Sequence, residues 1–216
     1  MTELNPTDRT RLRRVHQRGH YDRATIDAIL DAGLICHVGY AIDGLPYVTP
    51  TVYWREGDRV YWHGSSASRM LRKSEGANVC LTVTHLDGLV LARSAFHHSA
   101  NYRSVMLFGR AEKVTERQSK IDRLKTFVDL LYPGRWEQLR EMTEQELKAT
   151  TILSIPIEEA SAKVRTGPPV DDEEDYALPV WAGVVPIRPS HGTPEPCPRL
   201  AEGTTLPDHV RVLLQG

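Results

Sequence analysis

The chain has 216 residues, of which 40% are hydrophobic and 25% are charged, and its formal net charge is −1. This length suffices for one domain with a buried core, and the near-neutral charge gives no reason to expect nucleic acid or a membrane as partner. The sequence contains no apolar run of bilayer length and no hydrophobic signal core, so a cytoplasmic location is expected. Three cysteines without a C-x-x-C pair argue against a disulfide framework.

Composition divides the chain into three segments. We expect a basic N-terminal arm over residues 1–23, a central domain over residues 24–188 and a Pro- and Gly-rich tail over residues 189–216. The arm could bind an acidic partner, but it lacks apolar residues between its arginines, which favours a solvated segment. The tail is expected to be irregular.

The central domain contains many short runs of β-forming residues. Six to seven strands are predicted, at residues 34–42, 47–54, 60–63, 79–85, 89–92, 104–114 and 152–157. Asp43-Gly44 and Asp87-Gly88 are interpreted as hairpin turns. Such strands indicate a mainly β antiparallel barrel or sandwich, and a barrel is favoured because closure removes exposed edges.

Four helices are predicted, one before the first strand and three between later strands. They cover residues 24–32, 66–74, 116–131 and 143–150. The third has an amphipathic spacing, and the fourth begins with a capping box formed by Thr143 and Glu146.

The segment from Tyr61 to Met70 has the most informative local pattern. A strand ends there in glycine and serines, and a short helix follows. A helix N-terminus offers free backbone N–H groups, serine hydroxyls add donors, and Arg69 can bind two phosphate oxygens. Arg72 and Lys73 lie close to the same helix face. The pattern indicates an anion site, although a serine pair also caps helices for structural reasons alone.

Other kinds of site leave weaker signals. His97 and His98 are adjacent, so on a strand they would face opposite sides, and no cluster of zinc-like spacing joins them. We therefore predict no metal site. The sequence has no nucleophile elbow, Walker motif or dinucleotide glycine pattern. A cofactor that brings its own chemistry is the favoured explanation.

Four segments, in this order, resemble the pyridoxamine 5′-phosphate oxidase-like split-barrel flavoproteins. Tyr61–Gly64 with Ser68-Arg69 is similar to the family's phosphate-binding strand and turn, and Tyr102–Glu112 to its long strand ending in Gly-Lys-Ala-Glu. Trp181–Gly183 is similar to its late Trp-Gly-Gly, and Pro46–Trp54 occupies the strand that lies along the isoalloxazine. The resemblance covers residues 24–187 and implies a homodimeric split barrel with FMN at the subunit interface.

The resemblance also implies which residues bind FMN. Ser65, Ser68 and Arg69 are expected to anchor the phosphate, while Ser104 and Trp181 complete the site from the partner subunit. The full expected set is Thr49, Pro50, Thr51, Val52, Trp62, His63, Gly64, Ser65, Ser68, Arg69, Met70, Arg103, Ser104 and Trp181.

The chain departs from authentic oxidases at the substrate end. Residues 49–54 replace an Arg-x-Val-Leu-Leu-Lys element, Met70 replaces a lysine, and no Arg-x-His pair follows Trp181. Because these cations are lost, pyridoxamine-phosphate oxidation is not expected. The pattern is closer to the flavin-nucleotide-binding branch that includes nitroimidazole reductases, in which a histidine matching His63 lies beside the flavin.

Three functions are compatible with the sequence. The leading interpretation is an FMN-dependent oxidoreductase acting on a small molecule. The alternative is a non-catalytic flavin or haem binding or carrier protein, with His63, His97 or His98 as a haem axial ligand. The third is a cofactor-free barrel dimer that acts as an interaction protein.

Overall fold

The computed structural model describes residues 3–212. Its strands are β1 (Gly19–His20), β2 (Ile35–Ile42), β3 (Leu45–Glu56), β4 (Arg59–Ser65), β5 (Asn78–Leu91), β6 (Ser99–Arg110), β7 (Glu112–Lys113), β8 (Thr150–Pro156), β9 (Glu159–Arg165) and β10 (Gly183–Pro186). Its helices are α1 (Arg23–Asp31), α2 (Arg69–Ser74), α3 (Arg117–Leu131), α4 (Glu144–Ala149) and α5 (Asp208–Arg211). The strands form one antiparallel sheet in the order β1-β9-β6-β5-β2-β3-β4-β8-β7, with β10 paired to β5.

The sheet curls until β6 meets β8 at Gly109. A Cβ at this position would lie 3.0 Å from the Cβ of Ile155, so only glycine allows the two strands to approach this closely. The two strands are not neighbours in the sheet order, and the barrel is therefore split along this line. The predicted mainly β, antiparallel split barrel is confirmed.

The barrel interior holds the main hydrophobic core. Alternate residues of β2, β4 and β5 point inward, and the indole of Trp62 is fully buried among them. Burying a large apolar side chain contributes about 1.5–3 kcal/mol to the stability of the folded state. A second, smaller cluster lies outside the barrel, where Leu124 of α3 covers Trp54, Tyr61 and Ile152.

The predicted turn at Asp87-Gly88 is wrong. Strand β5 continues through both residues and pairs with β6 along its length, with a register shift between Leu86 and Gly88. Gly88 is required because β10 approaches closely, since a Cβ there would lie 3.0 Å from the Val185 carbonyl oxygen. Asp87 instead accepts two hydrogen bonds of 2.9 Å from Arg103.

The predicted number of strands is too low. The sheet of the described residues has ten, and the prediction omits β1, β9 and β10. Strand β9 was missed because it presents Ala160 and Ala162 to the core, and alanine is depleted in strands. The four predicted helices are present as α1 to α4, and the capping box of Thr143 and Glu146 is confirmed.

The N-terminal arm lies on the barrel. Strand β1 extends the sheet beyond β9, Leu4 packs against the core, and Arg9 forms an ion pair with Glu159. Residues 189–207 of the tail contain no helix or strand. The three domain boundaries stay predictions. Within residues 3–212 no helix is both long and apolar enough to cross a membrane.

Candidate functional site

The start of α2 meets the first hairpin at one end of the barrel. The guanidinium of Arg69 lies 4.7 Å from the centre of the Tyr47 ring, and Tyr47 stacks on Tyr40 with 5.6 Å between ring centres. The Tyr40 hydroxyl is 3.2 Å from Oγ1 of Thr49. Two predicted site residues, Thr49 on β3 and Arg69 on α2, are therefore linked through a pair of tyrosines.

A close approach to β4 and two serine hydrogen bonds fix the position of helix α2. A Cβ on Gly64 would lie 3.1 Å from Cδ1 of Leu71, so glycine lets the helix pack on β4. Oγ of Ser68 accepts a hydrogen bond from the Leu71 N–H at 3.5 Å, and Oγ of Ser65 accepts one from the Ala67 N–H at 3.2 Å. Because each serine uses its oxygen as acceptor, its O–H stays available to donate to a ligand.

The cations of α2 have no acidic partner. Among residues 3–212, Arg69, Arg72 and Lys73 form no salt bridge, and all three are exposed. The helix itself is only six residues long, so its N-terminal backbone groups contribute less than the sequence indicated. The positive charge at this end of the barrel therefore comes from side chains, and it fits a phosphate-bearing ligand.

The four predicted residues of β3 do not share one face. Thr49 and Thr51 are on the side of Tyr53, which points into the core, while Pro50 and Val52 are on the outer side. A ligand along this strand would contact one pair through side chains and the other pair only through the backbone.

Two further predicted residues belong to the core. The side chains of Trp62 and Met70 are buried, and Nε1 of Trp62 has no hydrogen-bond partner among the described residues. Only the backbone of these two residues can contact a ligand outside the barrel.

His63 faces α3 and not the Arg69–Tyr47 contact. Its ring centre is 4.8 Å from that of Phe127 and 5.8 Å from that of Trp54. Nδ1 is buried without a partner in the described part of the chain. Burial lowers the pKa of His63, so the imidazole is neutral at neutral pH.

Three predicted residues lie away from α2. Arg103 pairs with Asp87 and so lowers the pKa of that carboxyl, and Oγ of Ser104 donates to the Lys163 carbonyl at 3.3 Å. Strand β6, which carries both, is three strands from β3. Trp181 lies against Gly183 at the other end of β5. One chain does not bring these residues to Arg69, and their place in the cofactor site stays a prediction.

The sequence interpretation missed the two tyrosines. With Asp43-Gly44 as a two-residue turn, Ile42 pairs with Leu45 and Tyr40 must pair with Tyr47. The signal was therefore present in the hairpin register.

The fold and these residues agree with a family assignment. Residues 22–164 match the family model described as pyridoxamine 5′-phosphate oxidase. The architecture is therefore that of the split-barrel flavoproteins. The chain belongs to the pyridoxamine 5′-phosphate oxidase-like family, as the resemblance implied.

Solved structures extend the similarity beyond this region. The flavocytochrome Anf3 from Azotobacter vinelandii is 53% identical, with a TM-score of 0.93 over 97% of this chain and 98% of that chain. The FAD and haem binding protein from Mycobacterium smegmatis is 38% identical, with a TM-score of 0.88 over 91% of this chain and 97% of that chain. At 97% coverage, the similarity to Anf3 includes most of the arm and most of the tail.

A more distant structure supports the fold alone. A putative 5-nitroimidazole antibiotic resistance protein from Bacteroides thetaiotaomicron is 22% identical, with a TM-score of 0.56 over 68% of this chain and 86% of that chain. No curated protein matches the sequence.

Proposed function

We propose that the protein binds a flavin and a haem and acts as an oxidoreductase on a small molecule. The observation that carries the flavin part is the cluster of Arg69, Arg72 and Lys73, which have no acidic partner among the described residues. The haem part is supported by the two relatives at 53% and 38% identity, one a flavocytochrome and the other an FAD and haem binding protein.

The phosphate end of the flavin is proposed to lie at the start of α2. Arg69 would bind phosphate oxygens through its guanidinium, and Ser65 and Ser68 would donate through their hydroxyls. FMN, the expectation from the sequence, has one phosphate, whereas FAD has two. Three cations suit a diphosphate better than a monophosphate, and FAD is the flavin named for the M. smegmatis relative. We therefore propose FAD.

A bound flavin would supply hydride and electron transfer, and a bound haem would supply one-electron chemistry. The residues of the chain would hold and orient these groups. Oxidation of pyridoxamine phosphate is not proposed, because β3 carries no Lys or Arg between Leu45 and Trp54. A homodimer in which Ser104 and Trp181 complete the flavin site of the partner is also proposed. The cytoplasmic location stays a prediction.

Absorption of the purified protein tests the proposal first. We expect both a flavin spectrum and a Soret band, and chromatography of the heat-released flavin should give FAD. Release of FMN would overturn the choice of flavin only. A colourless protein that takes up neither added flavin nor haemin would overturn the function.

Arg69→Ala then tests the phosphate end. Loss of a charged hydrogen-bond partner should weaken flavin binding by about 1–3 kcal/mol, measured by titration of the apoprotein. Arg117→Ala is the matched control, because Arg117 is also exposed at a helix start but pairs with Glu144 at 2.7 Å. Equal affinities of the Arg69→Ala variant and the native protein would remove Arg69 from the site.

Light scattering tests the homodimer. We expect a dimer that retains flavin, and a monomer that retains flavin with native affinity would contradict the shared site.

A further inference from the structure

Five arginines lie within ten residues of the N-terminal arm, and the proposed function uses none of them. They are Arg9, Arg11, Arg13, Arg14 and Arg18. No acidic residue lies between the first and the last of them. Arg9 pairs with Glu159, whereas the other four form no salt bridge among residues 3–212. Because three of these four are also exposed, the arm carries a strongly positive surface.

The segment that carries the unpaired arginines is closed into a loop, residues 11–18, which we call the arginine loop. Leu12 near its start lies close to Gly19 just after its end, where a Cβ would be 3.4 Å from Cδ2 of Leu12. The Leu12 N–H donates a hydrogen bond of 2.9 Å to the Tyr21 hydroxyl, and Gly19 begins strand β1, which pairs with β9. Because both ends are held on the barrel, the cations are presented together at one place.

The turn of the arginine loop has a backbone conformation that the surrounding structure must hold. Val15 has φ 54° and ψ 49°, a left-handed conformation that is rare for β-branched residues. The N–H of Arg18 donates to the Val15 carbonyl oxygen at 3.1 Å and closes the turn. Such a conformation persists only where neighbouring contacts fix it. The loop is therefore a defined surface, with Arg13 and Arg14 exposed directly before the turn.

The arginine loop lies beside a residue that is predicted for the flavin site of the partner subunit. Arg11 and Leu12 line one surface cavity together with Ser104 and Lys163. Lys163 pairs with Gly19 in the sheet, and it has no acidic partner in the described part of the chain. It therefore adds to the positive charge of the loop. A molecule bound at this surface would lie close to the flavin of the proposed dimer.

Three kinds of partner carry enough negative charge to bind such a surface. The loop contains no Phe, Tyr or Trp, and its two apolar residues, Leu12 and Val15, are half-buried. It thus offers no ring on which nucleic acid bases stack and no apolar side chain that inserts into a membrane. An acidic protein needs only complementary charges, and redox encounters between proteins bury little surface and use such charges for orientation and rate. The observations therefore favour an acidic protein.

We propose that the arginine loop is the docking surface for a small acidic electron-transfer protein that reduces the flavin. The inference rests on the flavin binding proposed above, and it adds the class of reductant. Arg11, Arg13 and Arg14 would face carboxylates of the carrier. Each reduced carrier gives up one electron, so two carriers are oxidised for each flavin that is reduced, and two protons are taken up from water.

Calorimetry with two acidic carriers, a plant-type ferredoxin and a flavodoxin, measures docking on the full-length protein. The loop variant combines Arg13→Glu with Arg14→Glu. The matched control combines Arg135→Glu with Lys148→Glu, which changes the net charge equally in segments that contact α3 and not β9. At low ionic strength the loop variant should bind at least about tenfold more weakly, and the control within about threefold of the native protein. Added salt should weaken native binding.

Electron transfer gives a second measurement. Stopped-flow absorption follows reduction of the flavin by reduced ferredoxin and, separately, by photoreduced deazariboflavin, a small reductant that needs no docking surface. Ferredoxin should reduce the loop variant at least about tenfold more slowly than the native protein, whereas deazariboflavin should reduce both at the same rate. A loop variant with native affinity for both carriers and native reduction rates would overturn the proposal.

The remaining outcomes separate the docking surface from the proposed function. Native protein that binds its flavin but neither carrier would overturn the docking surface alone. Binding to a DNA duplex or to phosphatidylserine vesicles that is lost in the loop variant, with carrier affinity unchanged, would assign the loop to that partner instead. Native protein that binds both carriers through the loop but takes up no flavin would overturn the proposed function and the reduction step.

Discussion

Two helices pack against β4, and they differ in what their charges do. On α3, Arg117 pairs with Glu144, Arg123 with Glu56, and Lys125 with Glu137. On α2, Arg69, Arg72 and Lys73 have no such partner within residues 3–212. The ion pairs of α3 connect the helix to residues outside it, whereas the cations of α2 are available to a ligand. Charge pairing therefore separates a structural helix from a candidate binding helix, and the following predictions test that separation.

The largest effect is expected under α3. Phe127→Ala removes the ring that contacts both Trp54 and His63, and the free energy of unfolding should fall by about 2–3 kcal/mol. Urea denaturation measures the change. A loss below about 0.5 kcal/mol would show that α3 does not contribute to the core in this way.

The cations of α2 should affect binding and not folding. Arg72→Ala combined with Lys73→Ala should leave the free energy of unfolding within about 0.5 kcal/mol of the native value. Flavin affinity should fall about tenfold, because two charges near the proposed phosphate are lost.

Arg123→Ala is the matched control on α3. It removes the pair with Glu56 and the contact with the Tyr61 ring, so about 1 kcal/mol of stability should be lost while flavin affinity stays the same. The separation of the two helices would fail if both variants changed the same property.

A smaller effect is expected at Tyr47. Tyr47→Leu removes the ring over which Arg69 lies, a contact of about 0.5–1 kcal/mol. Flavin affinity should fall a few-fold, since the guanidinium is then less well positioned. Tyr47→Phe keeps the ring and is expected to bind as the native protein does. If Phe and Leu weaken binding equally, the hydroxyl and not the ring contact is what matters.

The smallest effect is a dependence of stability on pH. Burial lowers the pKa of His63, so the unfolded chain takes up a proton at higher pH than the folded chain. The contribution is complete above about pH 6.5 and is lost as the pH falls from there towards the folded pKa. His63→Phe should flatten the acid side of the stability profile, measured by urea denaturation between about pH 8 and pH 5. Parallel profiles for the two proteins would contradict this.

Much of the barrel could be predicted from the sequence, and the failures have physical causes. The Asp43-Gly44 hairpin is right because both residues adopt positive φ, 51° and 79°, as a two-residue turn requires. Asp87-Gly88 is the same residue pair, but there glycine is needed because β10 approaches it closely. Strand β10 is distant in sequence, so the local sequence does not reveal this contact. Turn signals alone do not distinguish these two uses of glycine.

The candidate site was predicted at its phosphate end and less well elsewhere. Ser65, Ser68 and Arg69 lie within five consecutive residues, so a local pattern was enough to group them. Ser104 and Trp181 were grouped with them through the family resemblance, and in one chain they lie on distant parts of the sheet. Which residues meet across a sheet depends on strand order, and strand order is a property of the whole fold.

Strand β5 separates two groups of residues predicted for the flavin site. It begins four residues after α2 ends and finishes two residues before Arg93, and its 14 residues amount to on the order of 40 Å of extended chain. Pairing with β2, β6 and β10 keeps this strand extended, with one register shift between Leu86 and Gly88. In one chain, Arg69 lies in the helix that precedes β5, whereas Trp181 lies beside the end of β5. A flavin that contacts both residues would need them from two different subunits, which is the arrangement proposed above for the dimer.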